Sequence, residues 1–166
     1  MNAYISAVNQ KKAFAELLLG QAVQAGDQHH LCQALLQGAV MQLEFAYRFY
    51  LRELADAFQC KNARDIADLW TLIAHLQLLG KNPAETREIY NLKEDPQSWL
   101  IELQECWRAI AQPPEVAVTP EGGDRIAAVS IPRRHDWSRL STDQVAGWLR
   151  AFTELVERHR EALVEF

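Results

Sequence analysis

Residues 35–54 read Leu35-Leu-Gln-Gly-Ala-Val-Met-Gln-Leu-Glu-Phe-Ala-Tyr-Arg-Phe-Tyr-Leu-Arg-Glu-Leu54, and the spacing of their apolar side chains decides the fold class. Leu36, Val40, Leu43, Tyr47, Tyr50 and Leu54 recur at intervals of three and four, which lays them in one row on an α-helix. Phe45 and Phe49 form a second row one turn apart. A helix apolar over so much of its circumference needs neighbours on several sides, so this stretch is expected to be the central element of an all-α bundle. The periodicity extends it over residues 29–59. Gly38 in its interior costs about 1 kcal/mol relative to Ala, a cost that is tolerated where a second helix passes close by.

Outward from this helix, Tyr4, Val8, Ala15, Leu18 and Ala22 repeat at helical spacing, widened by Phe14, Leu17 and Leu19, and predict a first helix over 3–25. Gly26 reads as its C-cap and Asp27 as the N-cap of the central helix. Downstream, Asn62 and Asp65 signal a helix start, and Ile66, Leu69, Trp70, Ile73 and Leu76 continue it to a stop at Gly80. Asn82-Pro83-Ala84-Glu85 combines a cap, a proline at the first helical position and an acid in the first turn, opening a short helix to residue 91. Asp95-Pro96 repeats that signal ahead of Trp99, Leu100, Leu103, Cys106, Trp107 and Ile110. Ser141 with Gln144 is a capping-box pattern, and Val145, Trp148, Leu149, Phe152, Leu155 and Val156 give the last helix its buried face. Between these helices the period changes. Val116-Ala-Val118, a Gly-rich turn and residues 126–131 read first as a small β-hairpin over 116–131, an irregular loop being the alternative. The expected architecture is one domain over residues 1–166, an antiparallel helical bundle of four long helices plus shorter ones.

Composition narrows the function. A chain of 166 residues, 49% hydrophobic and 23% charged, buries a core without disulfides or metals. A net charge of −5 argues against nucleic acid as a general partner and against a polybasic membrane anchor. Cys32, Cys60 and Cys106 are widely spaced and odd in number, which fits reduced thiols better than a disulfide framework. No basic n-region precedes an apolar run at the N-terminus, and no stretch approaches the ~20 apolar residues of a membrane span. A cytoplasmic protein is expected.

Four constellations carry possible chemistry. His29-His30 point about 100° apart on a helix and cannot share one ion. Asp65, Asp68 and His75 fall on one helical face, yet no Glu-x-x-His pair accompanies them, so no metal is expected. Glu44, Arg48 and Arg52 step along the central helix at intervals of four and form a thin polar strip on an apolar surface. Helix-stabilising ion pairs explain that pattern, as does the lining of a ligand pocket between helices, and the strip is the first place to look for a site. Arg133, Arg134 and Arg139 make the segment around Trp137 the most basic of the chain, a candidate contact for an anion or an acidic partner. His159 extends the apolar row of the last helix and reads as a helix-edge residue. No Gly-rich phosphate loop, HExxH or GxSxG motif occurs, so no catalytic residue and no cofactor is assigned.

Asn9-Gln10-Lys11, Glu44-Phe-Ala-Tyr-Arg-Phe-Tyr50, Asp95-Pro-Gln-Ser-Trp99 with Trp107 and Pro113-Pro114, and Trp148 followed by Leu155-Val-Glu-Arg-His-Arg-Glu161 together resemble a family of short uncharacterised bacterial proteins. The resemblance implies a helical domain of unknown function with no catalytic residues to carry over; residues 116–131 depart from the pattern. On the residues alone, the leading expectation is a non-catalytic bundle that binds a protein partner or forms a homo-oligomer. A small-molecule binder or an unrecognised enzyme using Glu44, Arg48 and Arg52 is the alternative. A nucleic-acid-associated regulator using the arginines near Trp137 is the weaker one.

Overall fold

The computed structural model describes residues 3–112 and 139–164, which form six α-helices and one 3-10 turn with no strand among them. Helix α1 spans Ala3–Gln24 and α2 His29–Ala57; after a 3-10 turn at Ala63–Asp65 come α3 (Leu69–Leu78), α4 (Ala84–Glu94), α5 (Trp99–Ala111) and α6 (Thr142–Val164). The helical reading of the chain holds, and the expected hairpin at 116–131 lies outside the described residues.

Helix α2 is central. It touches α1, α3, α5 and α6, and Leu36, Val40, Leu43, Tyr47, Tyr50 and Leu54 are all buried. Burying side chains of this size stabilises by about 1.5–3 kcal/mol each, so one row of α2 anchors three sides of the bundle. Gly26, at φ +54, turns the chain so that α1 runs back along α2. Helix α1 presents small residues, Ala15 and Ala22, to its neighbour, and the two axes approach closely: a Cβ on Gly38 would sit 3.3 Å from Leu18 Cδ1. Helix α6 closes the bundle over α1, α2 and α5, with Phe152 edge-on to both Tyr50 and Trp99.

The segment read as a continuous helix from Asn62 to Gly80 is divided. Asn62 takes φ +57, Ile66 is extended, and α3 starts only at Leu69, where Asp68 accepts hydrogen bonds from Thr71 N and Thr71 Oγ1 at 2.8 Å each. Asp68 is therefore a cap, and His75 binds the Thr71 carbonyl within the helix. Helix α5 likewise starts on Ser98, which accepts from Ile101 N, while Asp95 holds the preceding turn through Gln97 N. Helix α2 has no side-chain cap; its cap position is Gln28, one residue past Asp27.

Candidate functional site

Glu44 faces inward from α2 with its side chain only 4% exposed. One carboxylate oxygen accepts from Arg48 Nε at 2.8 Å; the other, Oε2, is buried and has no hydrogen-bond partner. A carboxylate oxygen taken out of water without a donor costs free energy that nothing in the bundle returns. Glu44 is one of the residues bounding a cavity of about 250 Å³, together with Tyr47 and Arg48 of α2, residues 67–70 leading into α3, Lys93 at the end of α4, and Gln104, Trp107 and Arg108 of α5.

The cavity's charged groups are arranged in two sets. Arg48 is committed to Glu44 and sits over Trp107, its guanidinium carbon 4.6 Å from the ring centre. Lys93 donates to Gln104 Oε1. Burial first, then the charge of Arg108, push the Lys93 ammonium below its ordinary value, while Glu44 and Asp68 oppose the shift. An ammonium has three N–H donors, so Lys93 retains capacity toward the cavity. The hydrogen bonds from Thr71 hold the Asp68 carboxyl below its usual range. Burial, aided by Glu44 and Asp68, pushes the Tyr47 hydroxyl upward, so it stays protonated.

Beside this cavity, across Trp70, a larger open groove of about 910 Å³ runs between α3 and α4. Its walls include Trp70, Ile73, Ala74 and Tyr90 together with Glu88. Trp70 borders both spaces. Its ring is half exposed and meets Tyr90 edge-on, with centroids 5.6 Å apart.

Of the expected polar strip, the structure brings Glu44 and Arg48 together and leaves Arg52 apart. Arg52 donates to the Ile66 carbonyl at 3.0 Å and stacks near Phe49, pinning the segment ahead of α3. Arg133 and Arg134 lie outside the described residues, and Arg139 is exposed ahead of α6. Lys93, Gln104, Trp107 and Arg108 were not legible as site residues, and Asp68 drew notice only as a possible metal ligand. They come from separate elements and meet only through packing; a polar strip on an otherwise apolar helix was the one signal.

A second polar cluster gathers around His159, which is buried and not the helix-edge residue expected from the sequence. His159, buried on α6, bonds Tyr50 Oη of α2 through Nδ1 at 2.5 Å and Glu88 Oε2 of α4 through Nε2 at 2.8 Å. Both bonds are satisfied when Tyr50 donates to Nδ1 and the Nε2 proton goes to Glu88. Burial works against ionisation of Glu88, but its contacts with His159 and Arg158 prevail and keep the carboxyl below its ordinary value. The next residue, Arg160, forks onto both oxygens of buried Glu53 at 2.7 and 2.8 Å and reaches Asn9 of α1 at 2.9 Å. These bonds tie α6 to three helices. They hold the bundle and have no orphaned group.

Among the described residues, no cluster of three or more His, Cys, Asp or Glu is gathered as a metal ion would need, and no helix is long and apolar enough to cross a membrane. No curated protein and no solved structure matches the chain. The chain belongs to a family described as a family of unknown function, DUF6586, matched over residues 1–166.

Proposed function

We propose that this protein is a ligand-binding helical bundle that takes a small molecule bearing an N–H donor into the cavity headed by Glu44. The unpartnered, buried Oε2 carries the reading. Native folds rarely leave a buried carboxylate oxygen without a donor, and of the buried side-chain atoms without a partner among the described residues, Gln42 Oε1, Glu44 Oε2 and Thr153 Oγ1, it is the one that belongs to an acid. Aromatic walls and a few convergent polar groups are the usual make-up of a small-molecule site. This reading takes up the pocket alternative of the sequence with Arg52 removed from it, and it assigns no catalytic residue. Three free cysteines, two of them buried, are consistent with a cytoplasmic setting.

The test is a thermal-shift and tryptophan-fluorescence screen of the purified protein against amines, amidines and amino acids. A binder raises Tm and changes emission from Trp107 and Trp70, and Glu44→Gln abolishes both responses. A Glu44→Gln protein that responds as the wild type does to every compound rules the site out.

The leading expectation from the sequence, a bundle that binds a protein partner or itself, is the second reading, and one observation favours its self-association form. Helix α1 buries a row made largely of small residues and leaves Phe14, Leu17 and Val23 exposed, Leu17 by 67%. Phe14 joins Phe45 of α2 around Lys11, so the apolar surface continues across two helices. Light scattering over a wide concentration range should show dimers that Leu17→Glu dissociates; a monomer throughout ends this reading.

A further inference from the structure

Resting on the ligand-binding reading, we infer that the ligand is a zwitterion with an apolar body: an α-amino acid with a large apolar side chain. Its charged head would sit in the Glu44 cavity and its side chain would pass Trp70 into the α3–α4 groove.

The head follows from what the cavity leaves unpaired. Glu44 Oε2 has no donor, and Asp68, on the lining of the same cavity, adds a second negative charge. Lys93 and Arg108, across the same space, supply positive charge and spare N–H donors. A simple amine would satisfy Glu44 while meeting the repulsion of Lys93 and Arg108. A simple acid would satisfy the bases while facing Glu44 and Asp68. A molecule with ammonium and carboxylate on one carbon meets both sets at once, and about 250 Å³ is ample room for such a head.

The body follows from Trp70. A large aromatic side chain 51% exposed, bordering both the polar cavity and the groove, serves no core. Tyr90 and Ile73 continue the apolar surface away from the cavity. A side chain leaving the head along Trp70 would cover that surface.

Calorimetric titration tests both parts on the full chain with four probes: phenylalanine, glycine, phenethylamine and 3-phenylpropanoate. Phenylalanine should bind most tightly, each of the others more weakly by about tenfold or more, as the loss of one ion pair or of the ring contact requires. Trp70→Ala should bring phenylalanine to the level of glycine, and Glu44→Gln should abolish binding of phenylalanine and phenethylamine. Equal affinity for glycine and phenylalanine overturns the apolar body and leaves the Glu44 site standing. Phenethylamine matching phenylalanine overturns the zwitterion and keeps a cation site. If none of the four binds, the inference fails, and the wider amine and amidine screen still decides the parent reading. The comparison among probes on the wild-type protein needs no variant to fold.

Discussion

At the scale of single residues, the bundle's two buried acids on α2 have opposite fates, and the contrast locates the site. Glu53 is answered on both oxygens by the fork of Arg160. Glu44 is answered on one. Gln at position 44 removes a buried charge and leaves Arg48, which is part exposed, to be solvated. The unliganded Glu44→Gln protein should therefore be more stable than the wild type by about 1 kcal/mol, the pattern expected where a site residue opposes folding. Urea denaturation measures this, and a lower midpoint would mean that the Arg48 ion pair outweighs the orphaned oxygen. Tyr50 is the reverse case. Its hydroxyl donates to His159 Nδ1 in a buried setting, so Tyr50→Phe strands an imidazole nitrogen and should cost about 1–3 kcal/mol. If the bond is the reason, Tyr50→Phe should cost much less in a His159→Phe background; equal costs in both backgrounds would refute it.

At the scale of elements, the short helices α3 to α5 depend on their ends. Ser98 accepts from Ile101 N at 3.2 Å and also donates to the Leu92 carbonyl, so it joins the start of α5 to the end of α4. Ser141 accepts from Gln144 N at 3.1 Å in an exposed position, and its hydroxyl bonds no other helix among the described residues. Ser98→Ala should cost more than Ser141→Ala, about 1–2 kcal/mol against about 0.5–1, read as the difference in thermal midpoints; equal losses would show that the bond to Leu92 adds nothing. Helix content was legible because each long helix carries its own periodicity, as Leu36 to Leu54 and Val145 to Val156 show. The break between Asn62 and Leu69 was not legible, since Ile66 and Leu69 keep helical spacing across an extended residue. Asp68 looked like a possible metal ligand because a cap and a ligand are the same residue type. The site was half legible: Glu44 and Arg48 share a helix face, whereas Lys93 and Trp107 reach them only through the docking of α4 and α5. Arg52 kept the strip's spacing, but α2 carries it to the level of Ile66, where a carbonyl takes it.

At the scale of the whole molecule, burial of ionisable groups sets the response to alkali. Burial pushes the Cys106 thiol up from 9.0 to about 12, and raises Cys60, Tyr47 and Tyr50 as well. For each, the unfolded chain loses its proton first, so unfolding releases protons and stability falls as pH rises past the ordinary value, 9.0 for the thiols and 10.0 for the phenols. Lys12 and Lys93 act in the opposite sense. Burial lowers both from 10.5, so the folded protein sheds their protons first and stability gains between the lowered value and 10.5, where the gain is complete. The lysines therefore blunt the decline up to about pH 10.5, and above it the tyrosines and Cys106 act unopposed, each at up to about 1.4 kcal/mol per pH unit. Urea unfolding across the alkaline range should show stability falling most steeply above pH 10.5. Cys106→Val keeps an apolar group of similar size in α5 and removes the thiol. Its stability should decline less than that of the wild type between pH 9 and 12, the interval between the two states' thiol values. Parallel declines in the two proteins would show that Cys106 is not the group through which alkali first reaches the core.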